Sequence, residues 1–224
     1  MQFIIDFRAE SIKKNLCKIG EVTDFNATNI VYPAISGHPD IFMSKINNTW
    51  ILAPNTPAAI VNLLKKLNIN FVFGNLKVEY NYPKTALYNI YNDAKIAIVS
   101  KFSDEKILSN INSKQILSVK QGYISCNTAR IGNEFITSDL GIKKAIDSIN
   151  KKAHFVNPDK IELADVKHGF IGGTIGQKGD TVYFTGSKNS FYAKLLSNIC
   201  ESQNKKIIFL GENEAIDVGG IIIL

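Results

Sequence analysis

Short apolar runs alternate along this chain with amphipathic stretches, and the alternation repeats. A run of about four apolar residues leads into a polar turn. A stretch with apolar positions three and four apart follows, and then a second apolar run. The first kind of run predicts a strand too apolar to be half-exposed, the second an amphipathic helix. One copy covers 50–73, with strands at 50–53 and 70–73, a turn at Pro54-Asn55-Thr56-Pro57, and a helix carrying Ile60, Leu63, Leu64 and Leu67 on one face. Further copies cover 95–119 (strands 96–99 and 115–119), 134–156 (strands 135–137 and 153–156), 181–210 (helix 190–201) and 2–22 (strand 3–5, helix 10–18). Ser103, Ser138 and Ser190 are expected to cap helix N-termini, and Pro57 suits a first helical turn. Five copies at similar internal spacing predict a repeat architecture.

The segments between the copies look alike. Residues 36–43, 124–131 and 170–175 each end in apolar residues. Turns follow at Asn47-Asn48, Gly132-Asn133 and Lys178-Gly179-Asp180, ahead of the strand that opens the next copy. This is a hairpin pattern, so each unit reads as strand–strand–helix–strand. Residues 217–224 look the same but have no strand after them. Residues 2–5 could supply it, which would close a ring and hide two sheet edges. The expectation is therefore an α/β fold of five ββαβ repeats closed into a ring, forming one domain over 1–224. Segments 75–92 and 157–167 stay outside the pattern.

With 224 residues, 45% of them hydrophobic, the chain is long enough for a core that needs no disulfide or metal. The net charge of +6 raises the question of nucleic acid. The lysines are scattered in ones and twos, mostly on expected wet helix faces. Arg8 and Arg130 are the only arginines. That argues for a solvated surface over a base-reading one. Cys17, Cys126 and Cys200 are odd in number and widely spaced, and the three histidines are equally dispersed, so neither a disulfide framework nor a zinc site is expected. Residues 169–179 are glycine-rich but lack the spacing of a nucleotide loop. No metal and no cofactor are expected. No stretch is apolar enough for a membrane span or a signal peptide, which predicts a cytoplasmic protein.

The repeat also ranks candidate chemistry by position. His38 lies 12 residues before Trp50, Cys126 lies 9 before Phe135, and Gly172 lies 9 before Thr181. Equivalent positions in a ring converge on one central face, so His38, Asp40, Cys126 and Gly172-Gly173 should meet. A thiolate is a strong nucleophile, a histidine can move protons to and from a leaving group, and a carboxylate can hold a planar cation. The glycines would let a substrate approach the backbone. Polar neighbours Ser125, Asn127 and Thr128 suggest that Cys126 sits on a rim, with Asn127 available to a substrate. His168 is a candidate second site histidine. Cys17 and Cys200 read as packing residues and His154 as structural.

The His38-Pro39-Asp40 element resembles the His-x-Asp motif of the guanidino-group-modifying enzymes, the pentein superfamily, which have five-fold ββαβ architecture. The blocks at 36–40, at 121–142 around Cys126, and at 168–173 resemble more closely an uncharacterised bacterial family given that fold. The resemblance implies a cysteine-dependent hydrolase or transferase acting on a guanidino or amidino C–N bond of a small molecule. In it Cys126 would form a covalent thiouronium, His38 would act as acid and then base, and Asp40 would hold the guanidinium. The chain departs from the enzymes in its mid-chain cysteine and in lacking a clear second carboxylate, for which Asp93, Asp139 and Asp217 are candidates. The alternative is a non-catalytic binding protein on the same ring, similar in architecture to the ribosome anti-association factor. A nucleophilic role predicts a lowered Cys126 pKa and faster alkylation than at Cys17 or Cys200.

Overall fold

Apolar runs that cannot face water on either side need cover from helices, and the chain satisfies this by folding into small, separate sheets. A computed structural model describes residues 1–113 and 115–224. Five sheets share one plan: two antiparallel strands, then a helix returning the chain to a third strand parallel to the second. In the first, Met43–Ile46 pairs antiparallel with Thr49–Leu52, helix Ala58–Lys66 follows, and Phe71–Phe73 lies parallel to Thr49–Leu52.

The plan recurs in Tyr91–Asn92, Ile96–Ser100, helix Glu105–Asn110 and Gln115–Val119. It recurs in Thr128–Ile131, Glu134–Thr137, helix Leu140–Asp147 and Ala153–Phe155. It recurs again in Ile175–Lys178, Thr181–Phe184, helix Ala193–Ser202 and Lys206–Phe209. The fifth sheet joins the two ends of the chain. Ile222–Ile223 runs antiparallel to Gln2–Asp6, in the register Phe3↔Ile223 and Ile4↔Ile222, and Glu21–Phe25 follows helix Glu10–Leu16. The expected pairing of last strand with first is therefore present. A small sixth sheet pairs Ile161–Glu162, in a segment that showed no pattern, parallel with Ala215–Ile216.

The helix caps differ from expectation. Asp104 and Asp139, each one residue past the expected serine, accept from Lys106 N and Ile142 N. A carboxylate suits the positive end of a helix better than a hydroxyl does. Ser138 instead accepts from Ile171 N, and Ser190 donates to the Ser187 carbonyl. The largest core cluster gathers Phe25, Phe42, Leu52, Tyr88 and Cys126, with each large side chain contributing about 1.5–3 kcal/mol by leaving water. Among the described residues no helix is long and apolar enough to cross a membrane.

Asp104 does more than cap. It is buried, and it also accepts from the backbone N–H groups of Asn75 and Leu76 and from the Tyr88 hydroxyl. Asp104→Ala should cost about 2–4 kcal/mol because several buried donors lose their acceptor at once, and Asp139→Ala about 1 kcal/mol as a simple cap loss. Urea melts of the two variants side by side test this; equal costs would refute the tie between the 75–76 segment and the helix.

Candidate functional site

Each sheet is entered through a tight turn, and these turns carry the candidate residues. His38 precedes the 3-10 turn Pro39–Ile41, whose proline fixes the backbone just after it. Cys126 lies in the single helical turn Ile124–Asn127, and the glycines form the 3-10 turn Gly172–Thr174. Asn89 occupies the corresponding place before Tyr91–Asn92, and Asp217 before Ile222–Ile223.

His38, Asp40 and Cys126 meet, their ligand-type atoms all lying within 4.8 Å of one another. Cys126 Sγ stands 2.9 Å from Asp40 Oδ2, the thiol donating, and Ser125 Oγ donates to the same oxygen at 3.1 Å. Asn89 grips the cysteine from the other side. Its Nδ2 donates to Sγ at 3.1 Å and to the Asp40 carbonyl at 3.2 Å, and its Oδ1 accepts from Cys126 N. His38 Nε2 lies 3.8 Å from Asp217 and 3.9 Å from Asp6, and neither ring nitrogen has a hydrogen-bond partner.

Asp6 is held by Arg8 through two nitrogens, and Arg8 also donates to the carbonyls of Pro33 and Ala34 just before His38. Asp217 accepts from the N–H groups of Phe170 and Gly219. Of the three candidates for a second carboxylate, Asp217 is the one at the site. Asp93 pairs with Arg130, and Asp139 caps its helix.

The rim expected around Cys126 is absent. Cys126 is 3% exposed and Asn127 fully buried, its Nδ2 donating to the Tyr123 carbonyl. Thr128 is buried as well, and half-buried Ser125 is turned to Asp40. Burial also reverses the expected acidity. Desolvation, then the charges of Asp40 and Asp217, push the Cys126 thiol well above its ordinary value. Desolvation raises Asp40 to about 6 and also raises Asp217, while the nearby His38 works the other way on Asp217. Of the two cysteines read as packing residues, Cys200 is buried and Cys17 is exposed, just past its helix.

The glycines have a different use from the one expected. A Cβ at Gly173 would stand 1.8 Å from Asp217 Oδ1, and one at Gly172 would stand 2.1 Å from the Ser125 carbonyl oxygen. Their missing side chains admit the site's own groups. Gly219 does the same for His38, at φ +67 with room for no side chain.

A cavity of about 180 Å³ opens against His38, Cys126 and Asp217, walled by Tyr32, Tyr123 and Phe170. His168 lines it too, its Nδ1 3.0 Å from the Gly169 carbonyl. Asp40 lies behind the sulfur and lines a second hollow with Gly172. Leu163, Val166 and Asp217 also border a larger cleft of about 900 Å³ that contains Glu10, Glu162 and Glu214. Asn89, Asp6, Tyr32 and Tyr123 were absent from the sequence candidates. Asn89 could have been found, since it lies seven residues before Ile96, much as Cys126 lies eight before Glu134.

A family model matches residues 4–222. The chain belongs to the family of unknown function DUF6873. No curated protein matches it. Solved structures resemble it at low identity. SxtG, an amidinotransferase of the saxitoxin biosynthetic pathway of Microseira wollei, is 9% identical with a TM-score of 0.54, covering 94% of this chain and 88% of that one. A mutant of DDAH from Pseudomonas aeruginosa, complexed with citrulline, is 7% identical with a TM-score of 0.55, covering 94% and 91%. C. jejuni agmatine deiminase is 12% identical with a TM-score of 0.50, covering 73% of this chain and 60% of that one. All three have the pentein fold, and the DUF6873 chain shares that mixed α/β fold.

Two outcomes follow for the free protein. Iodoacetamide should modify exposed Cys17 about 10-fold faster than Cys126, the reverse of what an activated thiol alone predicts; peptide mass spectrometry reads the order. Gly219→Ala should cost about 2–4 kcal/mol, because a side chain there meets His38 in a strained backbone region. An unchanged Tm would show that His38 is free to move.

Proposed function

We propose that the five units close into a pentein ring over 1–224, a single domain, and that the turns at its centre form the active site of a cysteine-dependent hydrolase or transferase. The substrate is a small molecule carrying a guanidino or amidino group. The observation that carries this reading is the gathering of the Cys126 thiol, the His38 ring and the Asp40 carboxylate within 4.8 Å, with two of them on a cavity wall. Among the described residues no lysine or arginine lines that cavity, and Asp217 does, so its charge suits a cation. That the structural neighbours are an amidinotransferase and an agmatine deiminase supports the same kind of reaction.

In this reading Asp217 from the wall and Asp40 from behind the sulfur supply negative charge to the cation. The cation in turn offsets the field that holds the thiol proton on. Cys126 passes its thiol proton to His38 as Sγ attacks the central carbon, and the C–N bond breaks. The departing nitrogen takes a proton from His38, leaving a thiouronium on the sulfur. His38 then takes a proton from the acceptor, water in a hydrolase or an amine in a transferase. The new C–O or C–N bond forms as the C–S bond breaks, and His38 returns its proton to the sulfur to regenerate the thiol. Asn89 and Ser125 hold the reacting groups in register.

The test compares chloroacetamidine, a cation, with chloroacetamide, its neutral counterpart, in buffer containing a chelator. Selective labelling of Cys126 by the cation, about 10-fold or more over the neutral reagent and lost in His38→Ala, is expected. Agmatine and simple alkylguanidines are then assayed for ammonia release, which Cys126→Ser should lower by about 10³-fold or more. Equal labelling by the two reagents would sink the cation-binding reading and favour a binding ring without chemistry.

A further inference from the structure

We propose that Cys126, His38 and Asp40 also form a binding site for a divalent transition metal of the zinc class. The sequence disperses its cysteines and histidines, and it is the fold that brings one of each together with a carboxylate. Sulfur, imidazole nitrogen and carboxylate oxygen are the three donor types zinc takes, and three protein ligands with a free fourth position is a familiar zinc arrangement. The donors are present in a fit state. Both His38 nitrogens and Asp40 Oδ1 are buried without a hydrogen-bond partner. Unpartnered buried polar atoms are costly, and a shared ion satisfies them together.

The spacing is close to what an ion requires. Sulfur at about 2.3 Å and nitrogen or oxygen at about 2.1 Å from a tetrahedral ion place neighbouring donors roughly 3.4–3.6 Å apart. Here Sγ and Asp40 Oδ2 are 2.9 Å apart, and all the donors lie within 4.8 Å, so side-chain shifts of about 1 Å complete the site. The surroundings match an outer shell. Asn89 donates to the sulfur, and Asp6 and Asp217 stand near His38 as carboxylates do beside ligating histidines. The cavity walled by Tyr32 and Tyr123 has room for a water as the fourth ligand. Charge balances as well, since a dication offsets the thiolate and Asp40 carboxylate that it gathers. The thiol proton is released to solvent on binding.

This site does not rest on the covalent reading. Where both hold, the ion and an organic cation exclude each other, and metal occupancy withdraws the sulfur from attack.

The experiment uses the full chain stripped with chelator and titrated with Co²⁺ alone, then with Zn²⁺ in competition. One ion per chain is expected, with a thiolate-to-cobalt charge-transfer band. The double variant Cys17→Ser/Cys200→Ser keeps the band, whereas Cys126→Ser abolishes it. Asp40→Asn weakens binding by at least about 10- to 100-fold. Should Cys126→Ser fail to fold, wild-type protein decides: Zn²⁺ slows alkylation of Cys126 and leaves Cys17 unaffected. A band that survives Cys126→Ser, or no protection of Cys126 by saturating Zn²⁺, overturns the proposal. The chelator-containing labelling test is read separately, so either idea can fail alone.

Discussion

Three carboxylates, Asp6, Asp40 and Asp217, are buried near His38 and Cys126, only Asp6 is paired with a guanidinium, and the site is organised around that shortage. A buried charge must be paired or hydrogen-bonded, or it gives up its ionisation. Asp6 takes Arg8. The spare donors of Arg8 pin the carbonyls of Pro33 and Ala34, which fixes the segment leading to His38. Asp217 takes two backbone N–H groups, and Asp40 takes a thiol and a hydroxyl. Burial raises both pKa values, and the hydrogen bonds from these neutral donors offset only part of that desolvation. What remains is a compact group of carboxylates around His38, with Asp217 beside His38 and His168 on the cavity wall.

Packing keeps Cys126 buried. Cys126 belongs to the largest apolar cluster, alongside Phe25, Phe42 and Tyr88, so the same burial that shapes the core sets the thiol's acidity. Glycines at 172, 173 and 219 let neighbouring turns approach until backbone and side chain touch. The Tyr123 hydroxyl, bonded to Thr85 and within reach of the Tyr32 hydroxyl, closes one wall of the cavity. Leu163 and Val166 stand between it and the larger acidic cleft.

Much of the architecture was legible because it is periodic. Apolar strands and helical spacing located the helices of all five units to within a few residues, and turn residues such as Asn47 and Gly132, both at positive φ, marked the hairpins. Positional equivalence brought His38, Asp40, Cys126 and the glycines together correctly. What it could not supply was environment. Ser125, Asn127 and Thr128 read as a wet rim because their type is polar, but Asn127 and Thr128 are buried, Asn127 bonds within its own turn, and Ser125 bonds Asp40 of another. The fall or rise of a thiol's pKa likewise depends on neighbours distant in sequence, here residues 40 and 217. Capping was missed by one residue because serine and aspartate are adjacent in both Ser103-Asp104 and Ser138-Asp139, and only geometry chooses between them.

The strand at Ile222–Ile223 lies on the strand at Gln2–Asp6, so the first and last strands are neighbours. In the proposed ring the origin of the chain is arbitrary with respect to the centre: cutting at an exposed hairpin turn and linking Ile222–Ile223 to Gln2–Asp6 would permute the order of the units and keep their strand pairing. The ordinal position of a reactive side chain is then a matter of genetic history rather than of mechanism. A cysteine in the middle of one sequence and a cysteine near the end of another can occupy comparable surroundings, and relatives of this kind are better aligned around a circle than along a line.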